Sequence, residues 1–300
     1  MRSIAIINQK GGVGKTTTAV NLAAALAESG ARVCVLDLDP QSHASLHLGV
    51  SLRENDLSIY DVLTGDTTLA EVRRQVSPRL WIVPAHLNLA AAEMELAGEV
   101  GREVILRDKL ARDLTVASER AAAGESPAVG ESRGREAVAP DDGTEFDYLL
   151  IDCPPSLGVL TLNALTAVDE VFLPLQPHFL ALHGLSKLLR TIEIVASRLN
   201  PTLRLTGVVL CMFESATRLA TEVSHDVEEF FRRPGSTSSV WAGAKTFSTR
   251  IRRNIRLAEA PSFGQSILEY APQSHGAEDY RHLAHEVAES ACAAHAGSAG

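Results

Sequence analysis

The chemistry in this chain is concentrated in three short runs. The first is Lys10-Gly11-Gly12-Val13-Gly14-Lys15-Thr16, followed by Thr17. It comes directly after an apolar run, Ile4-Ala5-Ile6-Ile7, and opens a helical pattern over Thr17–Ala27. Glycines at this spacing let the backbone curl so that several N–H groups point inward and form an anion nest. The helix beginning there adds its positive end. Gly11, Gly12, Val13, Gly14, Lys15, Thr16 and Thr17 are therefore the predicted phosphate cradle. Lys15 is placed to neutralise the β- and γ-phosphates, and Thr16 to offer its hydroxyl to Mg²⁺. The second run is Asp37-Leu38-Asp39-Pro40-Gln41, at the end of another apolar stretch. Two carboxylates at the mouth of a sheet are costly unless a cation or an activated water lies between them. The third is Leu149-Leu150-Ile151-Asp152-Cys153-Pro154-Pro155, an apolar strand that ends in a single aspartate, a further candidate for holding Mg²⁺.

These residues need a scaffold that brings several strand ends together. Apolar runs at Ile4–Ile7, Arg32–Asp37, Leu80–Pro84, Phe146–Asp152, Glu170–Leu175 and Leu205–Met212 alternate with helical patterns. The clearest helical patterns are Leu87–Val116, Leu180–Leu199 and Glu222–Phe231. That alternation predicts an α/β chain with a single doubly wound, mostly parallel sheet and helices on both faces. The ligand is then expected at the carboxyl ends of the strands. The domain is predicted to span 1–292, with a flexible tail at 293–300. It is interrupted over 118–145, where seven acids stand against three arginines and large apolar side chains are nearly absent. Such a segment buries too little to offset its ordering entropy, and a disordered acidic insertion is expected there.

Bulk composition sets further bounds. The net charge of −9 argues against a chain that is basic overall, but leaves room for a local patch. Cys34, Cys153, Cys211 and Cys292 lack C-x-x-C spacing and read as free thiols in a reducing cytoplasm. No apolar run reaches the length of a membrane span or a signal peptide. Between Phe230 and Ala258 there is no acid, whereas Arg232, Arg233, Lys245, Arg250, Arg252, Arg253 and Arg256 all fall there. Arg250 and Arg252 are the residues of that run chosen for contact with DNA phosphates.

Taken together, the motifs resemble the ParA/MinD group of deviant Walker A ATPases, with the P-loop NTPase fold. Gln9 stands where the common P-loop has glycine, and Lys10 is the extra lysine of that group. The closest likeness is to the short ParA/Soj chromosome-partitioning type. The resemblance implies ATP and Mg²⁺ as cofactors and slow, partner-stimulated hydrolysis. It gives Lys10 a role in a partner subunit's nucleotide site, Asp39 the positioning of the hydrolytic water, and Asp37, with Thr16 and Asp152, a place in the metal shell. It implies an ATP-dependent homodimer, a ParB-like stimulating protein, non-specific nucleoid DNA, no membrane contact and a cytoplasmic location. Asn254–Gly264 is similar to a late family segment at the nucleotide pocket and dimer face, which makes Pro261 a candidate contact. Met212 falls where the family places base-contacting residues. Arg252-Arg253-Asn254 departs from the family's usual proline before Arg-Asn, and one basic DNA position of some members falls at Glu193. Two other readings share these motifs: a positioning ATPase for a flagellar or microcompartment assembly, and a nucleotide-switched binding module or repressor whose hydrolysis is incidental.

Overall fold

The computed structural model describes residues 1–113, 146–178, 181–214, 218–232, 240–241 and 243–297. The acidic run 118–145 and most of 234–245 lie outside them. Eight strands form one sheet: β1 (Arg2–Ile6), β2 (Val33–Asp37), β3 (Arg74–Ser77), β4 (Leu80–Val83), β5 (Tyr148–Asp152), β6 (Glu170–Leu175), β7 (Arg204–Phe213) and β8 (Lys245–Arg252). Their order across the sheet is β3-β4-β2-β5-β1-β6-β7-β8. Every pairing is parallel except β3 with β4. The chain leaves β1 toward β2 on one side and later builds β6, β7 and β8 on the other. The end of β1 is thus the point where the winding reverses, and ligands of open α/β sheets bind at such a point.

Alternation along the strands supplies two cores. Ile4 and Ile6 of β1, Val33 and Val35 of β2 and Leu150 of β5 share one face with α1 (Lys15–Glu28) and α12 (His275–Gly297). Ala5, Ile7, Cys34, Leu36, Leu149 and Ile151 point the other way. There they meet α3 (Ile59–Thr64), α5 (Leu89–Glu95), α7 (Val159–Ala167), α8 (Ala181–Arg198) and α9 (Arg218–Arg232). A strand buried on both faces reads as a continuous apolar run, which is why the central strands are legible in the sequence.

Four features depart from the sequence reading. Leu87–Val116 is not one helix: α5 runs into a 3₁₀ turn at Leu96–Gly98, then a turn at Gly101 (φ 76°), and residues 105–113 form a separate helix. Glycine supplies the left-handed backbone at that break. β3 is an edge strand, half-buried throughout, so it lacks the apolar signature of its neighbours. β8 occupies part of the basic run. Its Phe247 and Ile251 face inward while the residues between them are polar, as expected of the sheet's other edge. The backbone of α12 continues to Gly297, past the point where a tail is expected. No described helix is long and apolar enough to cross a membrane.

Candidate nucleotide site

The loop after β1 is held from both sides. The Ile7 amide donates to the Phe172 carbonyl at 3.1 Å, and Asn8 Nδ2 donates to the Pro174 carbonyl at 2.7 Å, so β6 anchors the loop's base. The Lys10 amide closes a local turn onto Asn8 Oδ1 at 3.0 Å. Gly12 (φ 74°) and Gly14 (φ 93°) take the left-handed conformations that an L side chain resists. Gly14 is the N-cap of α1, and no side chain caps the helix. The first-turn amides therefore keep their hydrogen-bonding capacity for an anion. Lys15 is buried, and its ammonium reaches the Lys10 carbonyl at 3.4 Å. Burial lowers its proton affinity, with Asp152 and then Asp39 opposing that shift. Its one hydrogen bond is to that carbonyl, and a phosphate would give the ammonium an anion in direct contact.

β2 and β5 carry the acids to the same rim. Asp37 lies beside Asp152 in the parallel register of these strands, and Ile6 of β1 lies beside Asp152 on its other side. The two carboxylates differ sharply. Asp37 accepts from the Asp39 amide (3.1 Å), the Ser45 amide (2.9 Å) and the Ser45 hydroxyl (2.7 Å). Burial still pushes its pKa up to about 6, against those hydrogen bonds. Both oxygens of Asp152 are buried and make no hydrogen bond of ordinary geometry, although the Thr16 hydroxyl and the Lys15 charge are near enough to act on the carboxylate. Burial first, and the Asp37 charge second, raise its proton affinity well above the carboxylate range. A buried carboxylate of this kind fits a divalent cation, because a buried charge needs a partner. Among the described residues no group of three or more His, Cys, Asp or Glu could hold a metal alone. Mg²⁺ commonly takes one or two carboxylates and draws its other ligands from water and substrate phosphates. Thr16 and Asp152 fit such a site. Asp37 has both oxygens engaged by protein donors, and through them it holds the loop.

Asp39 is nearly buried, and its Oδ1 accepts from the Gln41 amide at 2.9 Å. Met212, at the end of β7, has φ 51°. Its neighbour Cys211 lies 3.5 Å from where a Cβ on Gly14 would sit, which puts this strand end against the P-loop. Pro261 lies in a 3₁₀ turn, Ala260–Phe263, that packs on α2 (His43–His47), the helix following the Asp37–Asp39 loop.

Arg250 and Arg252 are not an open basic surface. Arg250 is paired with Glu228 of α9 at 2.7 Å. Arg252 forks onto Asp279 of α12 and also reaches Glu278, each at 2.6 Å. The run is free of acids along the chain but not in space, and the charges of Arg250 and Arg252 are met by acids within the fold. Arg253 and Arg256 are likewise paired, with Glu214 and Glu259.

Sequence reasoning missed several supporting residues. Ser45 clamps Asp37 and accepts from the Ala85 amide at 3.0 Å, linking the acid loop to the end of β4. Asn21 of α1 donates to the Thr17 carbonyl and accepts from the Ile267 amide, docking the late segment on the P-loop helix. Thr18 and Tyr280 share a buried hydroxyl contact at 3.3 Å between α1 and α12. A serine eight residues past an aspartate, or an asparagine within a helix, carries no local signal of these bonds. His178 lies beside Lys10, a contact taken up below.

A parallel sheet with a glycine loop and an uncapped helix after its central strand, and a buried acid on the adjacent strand, defines a P-loop nucleotide-binding protein. The family described as AAA domain matches residues 1–114 and 141–205. The sporulation initiation inhibitor protein Soj of Bacillus subtilis is 42% identical over 95% of this chain and 97% of its own. The chromosome partitioning protein ParA of Caulobacter vibrioides is 41% identical, over 96% and 94%. The chain belongs to this ParA/Soj family of ATPases. Among solved structures, a Mycobacterium smegmatis protein named cobyrinic acid a,c-diamide synthase, with bound ATP analog and magnesium, is 33% identical. It superposes with a TM-score of 0.71 over 95% of this chain and 92% of that one.

Proposed function

We propose that the chain is an ATP-fuelled dimerising switch that binds DNA without sequence preference and partitions chromosome or plasmid cargo with a ParB-like stimulating protein, on the nucleoid in the cytoplasm. The observation that carries the nucleotide chemistry is the buried Asp152, whose oxygens make no hydrogen bond of ordinary geometry, beside the uncapped start of α1 and the buried Lys15. Relatives named Soj and ParA support the cargo.

In this reading the loop amides and the first turn of α1 hold the β-phosphate, and Lys15 neutralises the β- and γ-oxygens. Thr16 and Asp152 hold Mg²⁺, which when bound supplies charge across those same oxygens. Asp39, fixed by the Gln41 amide, orients a water in line with the γ-phosphorus. The water oxygen forms the new P–O bond, the bond to the bridging oxygen breaks, ADP leaves, and the water's proton passes to phosphate or solvent. Asp37 keeps the Asp39 loop in register through Ser45. Lys10 enters the partner subunit's site and adds charge there, so the dimer forms around ATP. Met212 and Pro261 border the base.

For DNA, the exposed Lys187 and Arg190 of α8 and the exposed Arg218 at the start of α9 are the phosphate-contacting residues we propose in place of Arg250 and Arg252. Light scattering with and without ATP and Mg²⁺ tests the switch. The parent should shift from monomer toward dimer, and Asp39→Ala should accumulate as dimer because it binds without turnover. An Asp39→Ala protein that binds ATP and stays monomeric would defeat the reading.

A further inference from the structure

Lys10 is held within its own subunit. Its ammonium donates to Nε2 of His178, on the turn after β6. The two residues come from adjacent strand ends, since β1 and β6 pair with Ile6 opposite Phe172. Asn8 fixes their separation, because it both accepts from the Lys10 amide and donates to the Pro174 carbonyl. Between loop and turn lies a cavity of about 300 Å³ with an apolar wall that includes Val13, Leu175 and Leu188, and Lys10 and His178 stand at its lining. No step proposed for hydrolysis uses His178.

We propose that His178 is a positioning residue that parks Lys10 in cis: its neutral imidazole holds the ammonium against its own subunit, and protonation releases that arm to a partner. The inference rests on the proposed role of Lys10 in the partner's site. An imidazole nitrogen accepts a hydrogen bond only when it carries no proton. Burial first, and the Lys10 charge second, keep the His178 pKa below 6.5. At neutral pH the ring is therefore an acceptor and the arm is parked. As pH falls through the ring's own lowered pKa it gains a proton, two cations face each other, and the arm is expelled. Among the described residues, Lys10 is a charged side chain acting on the ring. Lys15, the other cation of the loop, is turned to the Lys10 carbonyl, and Asn8, Gln9 and Gln176 along the cavity are neutral. A parked arm lowers the fraction of molecules competent to dimerise, and so weakens apparent dimer affinity by that fraction.

Two measurements on the full chain test this. Without nucleotide, the imidazole shifts of labelled histidines are followed against pH by NMR. Lys10→Met should raise the His178 midpoint, and an unchanged titration overturns the proposal whatever the dimer does. With a non-hydrolysable ATP analogue and Mg²⁺, dimer affinity is then read by analytical ultracentrifugation at about pH 7.5 and about pH 5.5. The parent should dimerise more tightly at the lower pH. His178→Leu should be about three- to tenfold tighter than the parent at the higher pH and lose the pH dependence that distinguishes it. His178→Gln, whose side-chain oxygen accepts but does not titrate, should keep parent-like affinity at the higher pH and also lose the pH dependence. A His178→Leu protein with the parent's affinity and pH profile overturns the latch. If Lys10→Met dimerises like the parent, the partner-site role fails separately, and the histidine titration still decides whether the arm is parked.

Discussion

At the residue scale, neighbouring side chains of similar type have been given different tasks by their partners. Lys15 sits buried with only a carbonyl for its ammonium, so its charge awaits a phosphate. Lys15→Ala should abolish ATP binding in calorimetry, while far-ultraviolet circular dichroism stays that of the parent. Undiminished affinity would refute the P-loop assignment. Asp39 makes one local hydrogen bond and is not needed for the cradle. Asp39→Ala should therefore keep ATP affinity within a few-fold, yet lower turnover by about 10²-fold or more in a phosphate-release assay, the range expected when a positioned base or water-orienting group is lost. His47 offers a pH test. It is buried with Nε2 unpartnered, and burial pushes its pKa from 6.5 down to about 4. The unfolded state thus binds the extra proton between those values. Stability from keeping His47 neutral is complete above pH 6.5 and is lost as pH falls toward 4, by up to about 3 kcal/mol. Urea midpoints of parent and His47→Leu should diverge on acidification, with the variant losing less. Parallel curves would show that the site lets water in.

At the scale of elements, the helices around the nucleotide loop are joined by polar pins. Asn21 ties α1 to the segment before the last helix, Thr18 meets Tyr280, and Arg281 of α12 pairs with Glu28 at the end of α1. β8 is fastened twice to α12. Glu286 accepts from the Ser248 and Thr249 amides, and Asp279 accepts from the Arg252 amide and guanidinium. Asp279 is buried, so removing Arg252 strands a charge. Arg252→Ala should cost about 2 kcal/mol in chemical denaturation, less than a fully buried pair because the guanidinium is partly exposed. A variant as stable as the parent would show that water replaces the arginine. This pin also makes Arg252 a poor probe of DNA contact, since its loss would disturb the edge strand itself.

For the whole molecule, the proposed dimer sets both chemistry and DNA affinity. A dimer carries two copies of Lys187, Arg190 and Arg218 onto one duplex, and paired weak contacts multiply. DNA binding should then require ATP, ignore sequence, and weaken steeply as salt rises. Lys187→Glu with Arg190→Glu should weaken binding to unrelated duplexes alike and leave the ATP-induced dimer intact in light scattering. Unchanged retention on DNA at matched ionic strength would move the interface off α8.

The sequence by itself determined whatever depends on consecutive residues. A phosphate nest is made by successive backbone amides, so Gly11 to Thr16 reveal it directly. A buried central strand is a run of apolar residues, so β1, β2, β4, β5, β6 and β7 were legible, with Asp152 at the end of one. The edge strands were not, because β3 and β8 bury only part of their surface and keep polar side chains. The tertiary structure alone decided which charges are free. Asp37 and Asp152 look alike in sequence, but Ser45 reaches only the first. Arg250 and Arg252 look unpaired, yet Glu228 lies 22 residues before one and Asp279 lies 27 residues after the other. A charge's availability depends on what the fold carries to within about 3 Å of it, and hydrogen bonds and ion pairs of that range have no fixed spacing along a chain.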